Sequence, residues 1–473
     1  MLIKFNHFEG LNVTINTNVN CTLKCSYCYE MNKAASIEED EIFWQTTKYK
    51  DEKRNYNFIK KPNCKDVVID VNIAKKFIDQ ILDFPETQFF NEFVTCKDAI
   101  VLDFIGGDSL QYPELLDEIL TYFIQQLIKR NHKWLYSWKC SISSNGVTLL
   151  NPKARQFCEK WKNNLSLGLS IDGCPELHDL NRWCFADNED GTHRGSWKYI
   201  KEIWSWYSKT FPSDSLRTKW TLAPNSYKYI LKSVKYLHEE LGMIHLMFNR
   251  VMENEIQDTA ESLWELIQQF EETMEYLIEH HTEIYCSPFD YNNTKSKTKE
   301  EQLKEDPKFS RCGFGVMPTL SLDGNVYPCF RMLPDHNHLK DSSKYAQGTC
   351  ENILSNQETL EKLNINSRSV NMKNEDKCET CKIFTVCPHC AADCVNEDDG
   401  TLTKTTSVCN FTRIEVYFAR KYWEKITLKH PVLYKKYPIT WTNEENEELM
   451  ELVLQDVVNL KEKENENEYS EFK

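Results

Sequence analysis

The chain has 473 residues, a formal net charge of -15 and 19 cysteines. Its length predicts two or three domains and allows a large core. The acidic balance argues against a grip on nucleic-acid phosphates. No apolar run reaches the roughly eighteen residues of a membrane span, and Met1–Gly10 lacks the pattern of a secretion signal. A cytoplasmic protein with no nucleic-acid and no membrane partner is expected.

Taken in order, Leu11–Asn16 alternates as a strand, and residues 37–66 read as an insertion loop or short exposed helix. A helix is predicted from Asn72, with Ile73, Phe77, Ile78, Ile81 and Leu82 on one face. Strand and helix then alternate: strand Ile100–Ile105, helix Glu114–Arg130, strand Lys139–Ser143, helix Pro152–Lys162, strand Leu165–Ile171, helix Trp197–Tyr207, strand Thr218–Ala223, helix Tyr227–Leu241, strand Met243–Phe248. Such succession means crossover units and a parallel sheet. Six strands before residue 250 suit an α/β fold, a partial (β/α)6 barrel with its chemistry at the carboxyl ends of the strands. Ile256–Ile284 reads as one long amphipathic helix and Asn292–Pro307 as a linker. Residues 308–412 change to short, cysteine-rich segments. Helices follow, one opened by a Thr442–Glu445 capping box ahead of Leu449, Leu452, Val453, Val457 and Leu460, and Lys461–Lys473 reads as a frayed charged tail. The expected domains are 1–250, 251–307, 308–412 and 413–473.

In a reducing compartment so many cysteines point to metal ligation or redox work. Three lie at 21–28 and five between Cys378 and Cys394. The scattered Cys64, Cys96, Cys140, Cys158, Cys174, Cys184, Cys286 and Cys350 read as small apolar residues. Cys21, Cys25 and Cys28 are spaced Cys-x3-Cys-x2-Cys directly after the first strand. Three thiolates on one loop can each hold one iron of a cubane, leaving the fourth iron open to a small molecule. The alternatives are a zinc site or three unrelated buried cysteines. Structural zinc needs four ligands, and no nearby His or Cys supplies the fourth.

With Tyr27 before its last cysteine, this motif resembles that of the radical S-adenosylmethionine (SAM) superfamily. The resemblance implies that SAM chelates the open iron through its amine and carboxylate, and that one electron passed to its sulfonium yields a 5′-deoxyadenosyl radical. Further motifs follow the strands. Gly106-Gly107-Asp108-Ser109 resembles the family's Gly-Gly-Glu-Pro turn, which holds the SAM amine, although Asp108 and Ser109 depart from it. Ser143-Ser144-Asn145-Gly146 resembles the Thr-Asn-Gly turn near SAM. Ser170-Ile171-Asp172-Gly173, with His178-Asp179 and Arg182 beyond it, resembles a run found in anaerobic sulfatase-maturating enzymes and peptide maturases. There Ser170 and an arginine would hold the SAM carboxylate or ribose; Arg182 is the first choice and Arg194 its rival. His178 and Asp179 read as a structural pair.

The later cysteines run Cys312-x11-Gly324-x4-Cys329, then Cys378-x2-Cys381-x5-Cys387-x2-Cys390-x3-Cys394, then Cys409. By spacing alone they could be two zinc ribbons. After a radical SAM barrel they resemble the SPASM domain, which holds two auxiliary [4Fe-4S] clusters and so implies three clusters in all. Cys378, Cys381, Cys387 and Cys409 match the second auxiliary site; Cys312 and Cys329 match the first, completed by Cys390. The spacing departs there, and Cys394 is an extra that either closes the first site or stays outside it.

The resemblance implies an oxidoreductase that abstracts hydrogen from a peptide residue to form a thioether or carbon–carbon crosslink in a ribosomally made peptide. Its partners would be a peptide or protein substrate and a reductant such as flavodoxin or ferredoxin; any leader binding would fall to a separate protein or to residues 413–473, since Cys21 leaves no room for a preceding domain. The alternatives are formylglycine formation of the sulfatase-maturating type and a non-catalytic iron–sulfur electron carrier. Against the first, Phe330 and Arg331 follow Cys329 where those enzymes carry an aspartate base. Against the second, a carrier needs no SAM motifs.

Overall fold

The computed structural model describes residues 11–30, 37–56, 67–83, 99–211, 216, 218–252, 257–280, 283–306, 314, 317–334, 339, 341–366, 372, 376–388, 390–396, 401–403 and 408–471. The fold is α/β. One sheet runs in the order β10-β9-β8-β1-β2-β3-β4-β5-β6-β7. Strands β1 (Leu11–Asn18), β2 (Ile100–Gly106), β3 (Trp138–Ser144), β4 (Leu165–Leu169), β5 (Thr218–Leu222), β6 (His245–Arg250) and β7 (Tyr285–Cys286) are parallel. The first six are the expected strands, matched to within about two residues at each end.

Alternation explains the packing. Ile100, Leu102 and Phe104 of β2 and Trp138, Cys140 and Ile142 of β3 are buried against the helices. The covering helices include Val71–Asp83, Pro113–Lys129, Pro152–Trp161 and Trp197–Thr210, each presenting an apolar stripe to one continuous core. Each large apolar side chain so buried contributes about 1.5–3 kcal/mol. The opposite face of the sheet is polar, with Asn16, Asp103, Ser141, Ser143 and Thr221.

Four expectations are corrected. The segment Tyr227–Leu241 is not one α-helix: a 3-10 turn Pro224–Tyr229 leads into helix Ile230–Lys235 and a π-turn Tyr236–Glu240. The long helix is confined to Ala260–Glu279, where Thr259 Oγ1 accepts from Ser262 N at 3.0 Å and Ser262 Oγ from Thr259 N at 2.9 Å. The expected linker carries a helix, Lys299–Glu305, held by a Thr298–Glu301 capping box rather than by an apolar face. The helix Asn443–Glu471 runs through the charged tail, and Glu464 Oε1 accepts from Ala260 N at 3.1 Å. Its Thr442–Glu445 box forms as expected, and Leu449, Val453 and Val457 are buried while Leu452 is exposed. Helix Ile37–Gln45 is the short helix anticipated, but Trp44 is only 1% exposed and packs against Tyr199.

Short strands invisible to periodicity complete the sheet. β8 (Thr319–Leu320) runs parallel to β1 on its free edge, and β9 (Asn325–Tyr327) and β10 (Gly348–Thr349) follow antiparallel. The cysteine-rich region is thereby joined to the strand that precedes Cys21.

Candidate active site

The loop after β1 is held from two sides. On one side it meets the turn after β2. A Cβ on Gly107 would lie 2.0 Å from the Asn20 carbonyl oxygen, and one on Gly106, where φ is +146°, would lie 2.3 Å from that of Asn18. Only glycines allow this approach. Gly107 N and Asp108 N donate to the carbonyls of Asn18 and Asn20 at 3.0 and 2.8 Å, and Thr17 Oγ1 reaches Ser109 Oγ at 3.0 Å. On the other side the loop is zipped to residues 181–185. Lys24 N donates to Trp183 O, Ser26 N to Asn181 O and Phe185 N to Thr22 O, at 2.9–3.1 Å. Lys24 Nζ also pairs with the buried Asp187 at 2.6 Å.

Cys21 is buried, and Cys25 and Cys28 are half-buried. Donors are aimed at two of the sulfurs. Leu23 N and Asn145 Nδ2 each lie 3.5 Å from Cys21 Sγ, and Arg182 Nη1 lies 3.7 Å from Cys25 Sγ. Such contacts favour thiolate and tune a bound cluster. Asn145 Nδ2 also donates to Thr22 Oγ1 at 3.0 Å, so the turn after β3 grips the loop directly.

Behind Cys25 is a buried charged group. Asp172 accepts from Tyr27 Oη and, at 3.2 Å, from Thr221 N. Arg182 Nε lies 3.1 Å from Asp172 Oδ2, close enough for an ion pair, although its N–H is not directed at that oxygen. Burial opposes the Arg182 cation, but Asp172, Tyr27 and Cys25 outweigh it and push its pKa up. Burial likewise pushes the Tyr27 phenol up, so it stays neutral and donates to Asp172. His178 is structural: burial, then the Arg182 charge, hold its pKa well below the usual range, and its Nε2 lies 2.9 Å from Ser196 Oγ. Asp179 Oδ1 accepts from Trp197 N at 2.8 Å at the start of helix Trp197–Thr210.

The remaining predicted residues divide. Asp108 is buried and its carboxylate is already engaged, accepting from Ser144 Oγ and Asn145 N at 2.9 Å and from Leu110 N and Thr148 Oγ1 at 3.1 Å. It joins the ends of β2 and β3 rather than presenting an open acceptor. Ser143 is exposed and Ser170 half-buried at the ends of β3 and β4. Arg194 lies elsewhere: its Nη1 pairs with Glu52 at 2.9 Å and its Nη2 donates to Lys53 O. The structure thus brings Tyr27, Asn145, Asp172 and Arg182 around the three cysteines and leaves Arg194 outside.

Sequence reasoning passed over Thr22, Asn16 and Asp103. Asn16 is fully buried at the carboxyl end of β1, and among the described residues neither of its amide atoms has a hydrogen-bond partner. Such an orphaned amide is what a polar ligand or ordered water satisfies. Its one signal was an asparagine inside a strand, where that residue is disfavoured. Asp103 stands on the same polar face. Burial pushes its carboxyl up, against the pull of Lys219 and a hydrogen bond from Ser141.

In the second cysteine region, Cys378, Cys381, Cys387 and Cys409 line one small cavity with Ile383, Phe384 and Arg413. Cys409 comes from the first turn of helix Cys409–Lys429, Cys378 from the short helix Asp376–Glu379, and Cys381 and Cys387 from the turns after it. Cys329 and Cys394 share a separate buried cluster with Ala391, with Cys390 packed beside it; Cys312, Cys64 and Cys96 lie outside the described residues. Arg331 Nη2 pairs with Asp393 at 2.8 Å and stacks its guanidinium over the Tyr29 ring at 5.0 Å, so this region touches the first cysteine loop. Among the described residues, no three cysteine sulfurs lie within 4.8 Å of one another. The scattered Cys140, Cys158, Cys174, Cys184, Cys286 and Cys350 are buried, and burial pushes the Cys140 thiol up to about 12, as expected of small apolar residues.

No family model and no curated protein matches the sequence. Solved structures do resemble the fold. Polyhistidine-tagged anSMEcpe with bound AdoMet superposes with a TM-score of 0.57 at 17% identity, over 89% of this chain and 99% of that one. Native anSMEcpe with bound AdoMet and the Cp18Cys peptide gives 0.54 at 17% identity, over 90% and 99%. Native anSMEcpe with bound AdoMet gives 0.52 at 16% identity, over 89% and 98%. These are structures of an anaerobic sulfatase-maturating enzyme of the radical SAM/SPASM type. The chain has the fold of the radical SAM/SPASM proteins.

Proposed function

We propose that the chain is a radical SAM enzyme of the SPASM type that modifies a residue of a peptide or protein. One observation carries this reading. The three-cysteine loop has hydrogen-bond donors aimed at its sulfurs, and it sits at the strand ends beside a polar face bearing the unpartnered Asn16. Cys21, Cys25 and Cys28 would hold the SAM-binding [4Fe-4S] cluster, and Cys378, Cys381, Cys387 and Cys409 an auxiliary one. Cys312, Cys329 and Cys390, with Cys394 as a further candidate, would hold the other. When bound, the first cluster and SAM supply a hydrogen-abstracting 5′-deoxyadenosyl radical.

The residues have distinct tasks. Asn145 and Leu23 N orient Cys21, while Arg182 supports Cys25 and places positive charge where a carboxylate would bind. Asp172 fixes Arg182 and Tyr27 together. The backbone of the Gly106-Gly107 turn, rather than the engaged Asp108 side chain, would meet the SAM amine. Asn16, Ser141, Ser143 and Asp103 would face the substrate. A likeness to a structure holding a peptide supports a peptide substrate.

A thioether or carbon–carbon crosslink is favoured over formylglycine. The turn after Cys329 presents Phe330 and Arg331, and the nearby Asp393 carboxylate is paired with Arg331. An electron-donating protein of the flavodoxin or ferredoxin class would reduce the site, a leader-binding protein would deliver the peptide, and the cytoplasm is the setting. To test the reading, the reconstituted protein is incubated anaerobically with SAM, dithionite and short peptides encoded beside its gene. Release of 5′-deoxyadenosine with a peptide lighter by two hydrogens supports crosslinking. Cluster reduction without SAM cleavage would support the electron carrier instead.

A further inference from the structure

At the other end of the strands from the first cysteine loop, two turns approach each other where the chain enters β6 and β7. The π-turn Tyr236–Glu240 carries His238, and the residues after helix Ala260–Glu279 carry His280 and Glu283. One ligand atom from each lies within 4.8 Å of the other two, a convergence that no other described trio of His, Cys, Asp or Glu shows. This is the amino end of the strands, opposite the cysteine loop, with His245 and Tyr285 paired just beyond.

The hydrogen bonds fix the chemistry. His238 Nδ1 is 3.2 Å from the Met243 carbonyl, which only accepts, so this nitrogen carries the proton. In the neutral ring His238 Nε2 is therefore a lone pair, and it faces Glu283 Oε2 at 3.5 Å. Two acceptors confront each other. His280 Nδ1 reaches the same oxygen at 3.0 Å, and the Tyr276 ring packs tilted against the His280 ring at 4.5 Å. A proton on His238 Nε2 removes the conflict, and so does a cation between the three groups. A ligating imidazole whose other nitrogen donates to a backbone carbonyl is the usual outer support of a metal site. The π-turn matters as well, since such one-turn expansions recur at functional sites. Two histidines and one carboxylate, with a position open to water, form a three-ligand zinc set.

We propose that His238 Nε2, His280 Nδ1 and the Glu283 carboxylate bind a divalent transition-metal cation of the zinc class, clipping the turn before β6 to the turn before β7. Those strands share only the pairs His245–Tyr285 and Leu246–Cys286, so the clip ties down the short outer edge of the sheet.

The test uses the full chain with its iron–sulfur clusters in place. It is dialysed against a chelator, equilibrated anaerobically with zinc and desalted. Zinc per chain, the zinc X-ray absorption edge and the thermal midpoint are then measured for the wild type, for Glu283→Gln and for His238→Gln/His280→Gln. The wild type is expected to retain about one zinc more than either variant, with nitrogen and oxygen neighbours at about 2.0–2.1 Å, and to melt higher with zinc than without. Equal zinc content in all three, or zinc bound by sulfur at about 2.3 Å, overturns the proposal. Glu283 is exposed, so its variant keeps the test decisive should the double variant not fold.

Discussion

The two cysteine regions are built differently. The loop at 21–28 offers three sulfurs, a backbone zipped to residues 181–185, and polar partners: Asn145, Thr22, Tyr27, Asp172 and Arg182. The later cavity offers four sulfurs with Ile383 and Phe384 in its wall. Three sulfurs amid oriented polar groups leave a place for a small molecule and the means to orient it. Four sulfurs can complete a site by themselves, with Arg413 the one charged group beside them among the described residues. The difference teaches that ligand count and surroundings vary together: on the proposed reading, exchange chemistry would belong to the first region and electron storage to the second.

The comparison is broken most severely by removing sulfurs. The combined change Cys21→Ala, Cys25→Ala and Cys28→Ala is expected to abolish SAM cleavage and to remove about four irons per chain. The pair Cys378→Ala and Cys381→Ala is expected to remove a similar amount of iron and leave SAM cleavage in place. Iron assay and 5′-deoxyadenosine release separate the two. If both variants lose SAM cleavage, the division of labour fails.

Next in size is Asp172→Asn. It leaves the buried Arg182 without its counter-charge, and breaking such a pair costs about 3–5 kcal/mol. Anaerobic denaturation should show that loss, together with weaker SAM binding. No change in either would detach Asp172 from the site.

Asp108→Asn follows. An amide cannot accept from all the donors that the carboxylate satisfies, and a cost of about 1–3 kcal/mol is expected in the same denaturation assay. If Asp108 instead binds the SAM amine through its side chain, the variant will lose SAM affinity with little loss of stability.

The smallest effect lies outside both regions and serves as a control. Burial raises the Asp40 carboxyl to about 6, against hydrogen bonds from Tyr56 and Trp44. A carboxyl raised in the folded state binds its proton more tightly there. Its contribution is greatest below the unfolded pKa, about 3.9, and is lost as pH rises through about 6. From pH 4 to pH 7 the wild type should therefore lose of order 1–2 kcal/mol relative to Asp40→Asn, with SAM cleavage unaffected.

Much of this was legible in the residues. The six main strands carry strong periodicity, and cysteine spacing survives any error in element boundaries. The strands β7 to β10 span only two or three residues each, too few for a period to emerge. Helix Lys299–Glu305 depends on its cap, so its charged residues read as a linker. Arg182 was the first choice in sequence terms and Arg194 its rival. Only tertiary placement separates them, because Glu52, which claims Arg194, lies 142 positions away. The partners of Asp108 were hidden for a similar reason: Ser144, Asn145 and Thr148 belong to another strand end.

The most direct test of the central claim uses the protein carrying Cys378→Ala and Cys381→Ala, reconstituted anaerobically and reduced. Its paramagnetic spectrum is recorded before and after SAM is added. A changed signal that is absent from the Cys21, Cys25 and Cys28 variant is the predicted result. An identical spectrum with and without SAM would contradict the assignment of an open iron to the first cysteine loop.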